Sequence, residues 1–244
     1  RRHLDRLLEA AVPGYADDLA AYSAALSQRN AALRGVRTGR AGVDAVAPWE
    51  PAIAVHGARI VAARREGMHA LSGPFARWMD DLGGGPGSIV RLEPSPALLA
   101  DVPTDALEGR LMERLRDARP REIAAGLTLA GPHRDDVLVG QERDGAIVDL
   151  RVVGSQGEQR TAVLALIMAH REHLGARAGL PILVLDDVLS ELDPRRRGLL
   201  LDAVVGAGQC LLTTADPTAA DAAAERGAHV VMVERGTGAS TATS

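Results

Sequence analysis

Asp186 and Asp187 stand side by side directly after the apolar run Ile-Leu-Val-Leu of residues 182–185. Such a run is expected for a strand buried on both faces of a parallel sheet. Its carboxyl end is where open α/β sheets place their ligands. Adjacent carboxylates are costly to bury there unless a cation or a transferring group is close. One of them can hold Mg²⁺, usually through water, while the next points at an attacking water. A second polar cluster, Ser190-Glu191-Leu192-Asp193, follows after Val188 and Leu189. The plainer alternative is a core strand ending in a polar turn, with Asp193-Pro194 opening a helix.

A second group, Ser155-Gln156-Gly157-Glu158-Gln159, lies 31 residues ahead of Asp186. It follows an expected strand over 147–153 and the turn residue Gly154. It opens an expected helix over 159–174, with Val163, Leu166, Ile167 and His170 at helical spacing. Ser155 and Glu158 have the spacing of a capping box, which is a purely structural role. A serine hydroxyl and a glycine amide at a helix N-terminus also offer donors and a positive dipole end to an anion.

The elements that must position these groups fall into two halves. Residues 1–120 read as helical. Tyr15, Leu19, Tyr22, Leu26 and Leu33 form one stripe, with Asp17, Asp18, Gln28 and Arg29 placed elsewhere. Pro13-Gly14 separates this helix from a shorter one, and residues 35–47 read as a loop. A long helical pattern runs over 48–82, with a possible break at Gly73-Pro74. Residues 88–92 suggest a strand, and Thr104 a cap for a helix over 104–118. From residue 121 strands alternate with helices, with strand-like runs at 127–130, 137–139, 147–153, 182–185, 210–213 and 230–233. Residues 141–145 suggest a hairpin. The tail 236–244 is small and polar and expected to be disordered.

Composition narrows the function classes. The chain has 244 residues, net charge −4 and only 2% aromatic residues. Stacking on single-stranded bases is therefore a poor expectation, and bulk charge does not point to nucleic acid. All 28 basic residues are arginine. A phosphate loop of the G-x-x-x-x-G-K-[ST] type needs a lysine, so none is encoded here and one is expected upstream. The single Cys210 is expected to be a buried core residue in a reducing compartment. No apolar stretch is long enough to span a membrane, and a cytoplasmic location is expected.

Residues 182–193 resemble the Walker B strand and D-loop of an ABC-type ATPase head, and residues 155–159 resemble the ABC signature motif. The stretch 183–200, with Asp186, Ser190-Glu191-Leu192-Asp193, Arg196 and Leu200, is similar to the RecF family of bacterial recombination mediators. So are Leu129-Ala130-Gly131-Pro132-His133-Arg134-Asp135-Asp136 and the opening Arg1-Arg2-His3-Leu4-Asp5, where His3 replaces a usual aromatic. The resemblance is weakest over 35–101. Thr213-Thr214-Ala215-Asp216 stands where ABC transporters usually carry a switch histidine.

The resemblance implies an α/β fold: the C-terminal part of an ABC-type (SMC/Rad50-like) P-loop ATPase head over 121–244, with a mainly helical arm over 1–120. It implies ATP and Mg²⁺ as cofactors and an ATP-dependent homodimer. It also implies binding to DNA, both duplex and single-strand gap junctions, in replication, repair, recombination and the SOS response. RecR, and indirectly RecO and RecA, are the implied partners. Asp186 would belong to the Mg²⁺ shell and Asp187 would be the general base. Ser155, Gly157 and Glu158 would meet a γ-phosphate held by the other subunit, with Ser190 and Asp193 in the D-loop. His133 and its neighbours are too few ligands for a closed zinc site. They read as a charged turn, although the resemblance suggests a place near nucleotide or interface. Arg195, Arg196 and Arg197 read as a solvated face, Arg37 and Arg40 as loop residues open to either role, and His56 and His69 as helix-surface residues. Two other readings remain: another ABC-type head, such as an SMC or Rad50 relative or a transporter subunit, and a non-catalytic interaction fragment. Without its phosphate loop the fragment alone is expected to be inactive.

Overall fold

The computed structural model describes residues 2–95, 99, 101–235 and 240–243. The chain forms two compact units interleaved in sequence, residues 1–72 with 90–138 and residues 73–89 with 139–244.

The first unit is built on α1 (Arg2–Ala11), α2 (Tyr15–Arg37), most of α3 (Glu50–Asp81) and α4 (Leu107–Ala125). Pro13-Gly14 does break α1 from α2, with Gly14 at φ 81°. Apolar stripes from all four helices close the core, among them Leu8, Tyr22, Leu33, Ile53, Ile60 and Leu111. The Leu8 side chain of α1 packs directly onto Gly67 of α3, where a Cβ would come within 2.8 Å of it. α2 runs on to Arg37, taking in part of the expected loop. α3 is continuous through Pro74. The ring removes one helix bond, but fully buried Leu71, Phe75 and Met79 on either side hold the helix in place. Thr104 is not a cap. It starts a 3₁₀ turn, Thr104–Ala106, without a side-chain bond.

Two arginines occupy positions that a hydrophobic stripe would assign to apolar residues. Arg29 is fully buried, on the same face of α2 as Tyr22 and Leu33. It pairs with Glu122 at 2.7 Å and Glu50 at 3.0 Å, and donates to the Thr128 hydroxyl at 2.8 Å. Arg64 of α3 pairs with Asp5 and Asp135, each at 2.9 Å, and donates to the Pro132 carbonyl at 2.6 Å. The Tyr15 hydroxyl donates to Asp5 at 2.6 Å, completing that cluster. The segment 127–130 is not a strand. Two of its backbone N–H groups are taken by side chains, Thr128 by Asn30 and Leu129 by Glu122, both at 2.7 Å.

The three-stranded sheet has the order β1 (Ser88–Glu93), β2 (Asp136–Arg143), β3 (Ala146–Asp149). β2 and β3 make the expected hairpin, with Asp144 at φ 51° and Gly145 at φ 77° in its turn. The expected strand over 147–153 stops at Asp149. That carboxylate accepts the Arg151 N–H at 2.8 Å and caps a short helix, α5 (Leu150–Val153). α6 (Gln156–Ala178) follows and leads to β4 (Leu183–Asp186). After β4 come α7 (Pro194–Val204), β5 (Cys210–Thr213), α8 (Pro217–Glu225), β6 (Met232–Arg235) and β7 (Ser240–Thr243). β6 and β7 pair antiparallel, so that part of the expected disordered tail is a strand, while 236–239 and 244 lie outside the described residues.

β4 and β5 pair in parallel, with Leu183 opposite Cys210 and Asp186 opposite Thr213. The sequence suggests burial of β4 on both faces. Instead Leu183 and Leu185 are buried while Val184 is 64% exposed, and Leu211 of β5 is 55% exposed. Among the described residues an apolar layer covers only one face of the pair. α6 departs similarly, burying Leu164, Ala165 and Met168 while Val163 is exposed.

Removing Arg64 alone should be far more damaging than removing a surface arginine. Arg64→Met takes the guanidinium away from the buried Asp5 and Asp135 carboxylates and should cost about 3–5 kcal/mol in urea unfolding. Arg59→Met breaks only the exposed pair with Asp18 and should cost no more than about 1 kcal/mol. Equal midpoints for the two variants would contradict this packing.

Candidate functional site

Asp186 is the last residue of β4, and the parallel register sets it beside Thr213 of β5. The Thr213 hydroxyl donates to Asp186 Oδ1 at 2.5 Å. The next residue, Asp187, has φ 50° and ψ 26°, a left-handed conformation that is uncommon for a non-glycine residue. Its N–H bonds the Thr213 hydroxyl at 3.1 Å and the Thr213 carbonyl at 3.2 Å. Asp186 Oδ2 and the Asp187 carboxylate have no hydrogen-bond partner among the described residues.

The chain then turns through a 3₁₀ segment, Val188–Glu191, anchored by buried Leu189 and Leu192. Ser190 donates its hydroxyl to the Asp187 carbonyl at 2.8 Å. Asp193 caps α7 by accepting the Arg196 N–H at 3.0 Å, and pairs with the Arg196 guanidinium at 3.1 Å. These hydrogen bonds and the Arg196 charge hold the Asp193 carboxyl below the usual aspartate range. Arg197 donates to the Leu192 carbonyl and pairs with Asp216, both at 2.9 Å. Arg196 and Arg197 therefore bind the turn together rather than forming a free solvated face.

Ser155 caps α6 and the capping box is complete. The Ser155 hydroxyl accepts the Glu158 N–H at 3.3 Å, and the Glu158 carboxylate accepts the Ser155 N–H at 2.7 Å. The Ser155 N–H first, and the nearby Arg143 guanidinium as well, hold the Glu158 carboxyl below its ordinary value. Gly157 is tightly placed, because a Cβ there would fall 2.6 Å from Arg196 Nη1. Arg160, one turn along, pairs with Glu191 at 2.9 Å and donates to its carbonyl at the same distance. The α6 N-terminus and the turn after β4 are thus joined through Arg160, with the Arg196 guanidinium lying against Gly157. No hydrogen bond links Ser155 or Gly157 to Asp186 or Asp187 among the described residues. A cavity of about 500 Å³ opens between α6 and β4, lined by Gln159, Arg160, Val163, Val184 and Asp186 among others.

Oxygen donors at one strand end suit a hard cation. Mg²⁺ is usually held by one or two carboxylates plus phosphate and water rather than by an all-protein cage. No group of three or more His, Cys, Asp or Glu residues positioned for a metal occurs among the described residues. His133 belongs to the first unit instead. Its Nδ1 is 2.6 Å from the Tyr22 hydroxyl, in the turn that delivers Asp135 to Arg64. His56 is tied to Asp18 at 2.7 Å rather than standing alone on the surface. Arg37 donates to the Ala125 carbonyl at 2.9 Å. Cys210 is only half-buried, and that burial pushes its thiol up. Sequence reading missed Thr213, Arg143 and Arg160. Counting back from the ends of the two parallel strands would have flagged Thr213.

No family model matches the chain. It is 33% identical over 249 residues to the DNA replication and repair protein RecF of Synechocystis, covering 97% of this chain and 63% of that protein. Identity to the Chloroflexus aggregans RecF is 40% over 224 residues, covering 88% and 55%. The chain spans about three fifths of the length of these curated relatives. Among solved structures, those of the recombination mediator protein RecF-ATP and RecF-ATPrS in the RecFOR pathway superpose with TM-score 0.73 at 27% identity. Each covers 88% of this chain and 57% of the other. The fold is therefore part of an ABC-type ATPase head, mixed α/β and mostly helical. No helix among the described residues is long and apolar enough to cross a membrane.

The capping box should respond to acid in a defined direction. A carboxyl with a depressed folded-state value contributes stability above its unfolded value, and loses that contribution as pH falls through the folded value. The Ser155 amide should therefore keep its hydrogen-bonded NMR shift above pH 4.5, the ordinary value for glutamate, and lose it only at lower pH. Ser155→Ala should cost about 1 kcal/mol. A Ser155 amide shift that moves near neutrality would contradict the box.

Proposed function

Since the chain is a RecF-family homologue spanning about three fifths of its relatives, we propose that it is the signature and Walker B portion of a DNA-repair ATPase. The carrying observation is the strand end itself. Asp186 is fixed at one oxygen, while its other oxygen and the Asp187 carboxylate, carried on a left-handed backbone, have no partner among the described residues. Asp186 would hold Mg²⁺, which when bound neutralises charge on the phosphates. Asp187 orients the attacking water and takes its proton. Ser155, Gly157 and Glu158 face nucleotide held by a second subunit, and Ser190 and Asp193 belong to the interface between subunits. The absence of lysine supports a phosphate loop supplied by another part of the complete protein.

The complete protein would work in the bacterial cytoplasm as a recombination mediator. It binds ATP, dimerises around it and engages duplex DNA beside single-strand gaps. With RecR, and indirectly RecO, it helps to load RecA during replication, repair and the SOS response. Residues 1–120 serve as the helical arm, and residues 121–244 as the C-terminal part of the head.

Four outcomes test the reading. Purified residues 1–244 should not turn over ATP, because the sequence has no lysine and so no lysine-type phosphate loop for the β- and γ-phosphates. In the complete protein Asp187→Asn should slow hydrolysis by about 10²–10⁴-fold while ATP still binds, whereas Asp186→Ala should weaken Mg²⁺-dependent binding itself. Ser155→Arg should abolish ATP-dependent dimerisation in sedimentation while monomer binding persists. Normal dimerisation of that variant would leave Ser155 as a helix cap alone.

A further inference from the structure

We propose that Thr213 is the positioning residue of the acid pair, an inference that rests on the reading of Asp186 and Asp187 above. The parallel register brings the end of β5 level with the end of β4, Asp186 opposite Thr213. One threonine hydroxyl then serves both acids. It donates its proton to Asp186 Oδ1 at 2.5 Å and accepts the Asp187 N–H at 3.1 Å. A hydroxyl has one proton and two lone pairs, so this arrangement uses it as donor and acceptor together. The carbonyl of the same residue shares the Asp187 N–H at 3.2 Å.

Each bond has a mechanical consequence. Asp186 has no other hydrogen-bond partner among the described residues, so without the hydroxyl its carboxylate is free to rotate about χ2. With Oδ1 held, Oδ2 is presented in one direction. Asp187 sits at φ 50°, which costs a non-glycine residue energy unless its surroundings hold it there. Both atoms that hold its N–H belong to Thr213. The threonine is itself restrained, since its β-branch limits χ1 and its strand is paired along its length. The loop beyond is also fixed, because Asp216 caps α8 and pairs with Arg197 at 2.9 Å. A group that bonds a metal-binding carboxylate from behind typically changes metal affinity or activity by about 10–100-fold when removed.

The test uses the complete protein with Mn²⁺ in place of Mg²⁺ and a non-hydrolysable ATP analogue. Free Mn²⁺ is read by its EPR signal. Thr213→Val keeps the branched shape but can neither donate nor accept. It should weaken Mn²⁺ uptake by about tenfold or more while leaving metal-free nucleotide affinity unchanged. Turnover should fall in kcat rather than through nucleotide affinity. Thr213→Ser keeps the hydroxyl and should restore both. Thr213→Ala stands beside the valine variant, so that a folding defect in one, seen by thermal unfolding, leaves the other to decide. If both variants take up Mn²⁺ like the native protein while Asp186→Asn has lost it, Thr213 does not position the pair and the acid-pair reading survives. If serine is as damaged as valine, the loss comes from packing and the positioning role is wrong. If the native protein takes up no Mn²⁺ with the analogue, the acid-pair reading fails and the proposal falls with it.

Discussion

A guanidinium inside a protein is tolerated only when carboxylates and carbonyls replace the water it has lost. Arg29 and Arg64 impose that condition on the first unit, and its architecture follows from how they meet it. Arg64 requires Asp5 from α1 and Asp135 and Pro132 from the segment before β2. Arg29 requires Glu50 at the head of α3, Glu122 near the end of α4 and Thr128 beyond it. Apolar packing among four helices would permit several sliding registers of similar burial. Directional ion pairs with partners on different elements permit few. The family-like segment Gly131-Pro132-His133-Arg134-Asp135 thus has a structural duty, with Asp135 also accepting the Ser95 N–H at 2.8 Å.

The second unit is governed by strand register rather than buried charge. Parallel pairing of β4 and β5 makes the two strands end together, which is what sets a hydroxyl against a carboxylate at that edge. The turn that follows inherits its geometry from the left-handed Asp187. Ser190 bonds back to its carbonyl, Leu189 and Leu192 plug the core, and Asp193 starts α7. Arg160 then holds the α6 N-terminus against this turn through Glu191. A displacement of either element would break charged hydrogen bonds to the other, so the two motifs form one mechanical piece within the unit.

What could be read from the sequence divides along the range of the interactions involved. The Ser155 cap, the Asp144-Gly145 turn, the break at Pro13-Gly14 and the strand 210–213 depend on neighbours within a few residues, and local chemistry specifies them. Arg29 was placed off the buried stripe because charge normally means surface. Its partners lie 21 and 93 residues away, and no periodicity reports them. The strand expected over 147–153 failed at Asp149, where a cap competed with a β-branched run and won. Val184 and Leu211 depart from the two-sided burial that parallel strands suggest, because among the described residues apolar packing lies on one face of the pair.

The capping box at Ser155 looks like an alternative to an anion site, but the bond count makes the two compatible. A helix N-terminus leaves its first N–H groups without acceptors in the helix. The box satisfies two donors, the Ser155 N–H and the Glu158 N–H. The N–H groups of Gln156 and Gly157 remain without an acceptor among the described residues. They stand at the positive end of a 23-residue helix. The Glu158 carboxylate would repel an approaching phosphate if it carried its full charge outward. Instead one of its oxygens is bound by the Ser155 N–H, and the other is paired with Arg143 at 2.6 Å. Gly157 has no side chain to cover its own N–H, and Arg196 fills the space behind it. The box therefore fixes the direction of the turn and offsets its one acidic side chain, leaving two backbone donors without an acceptor among the described residues. That is the condition under which a helix end can receive an anion brought by another molecule.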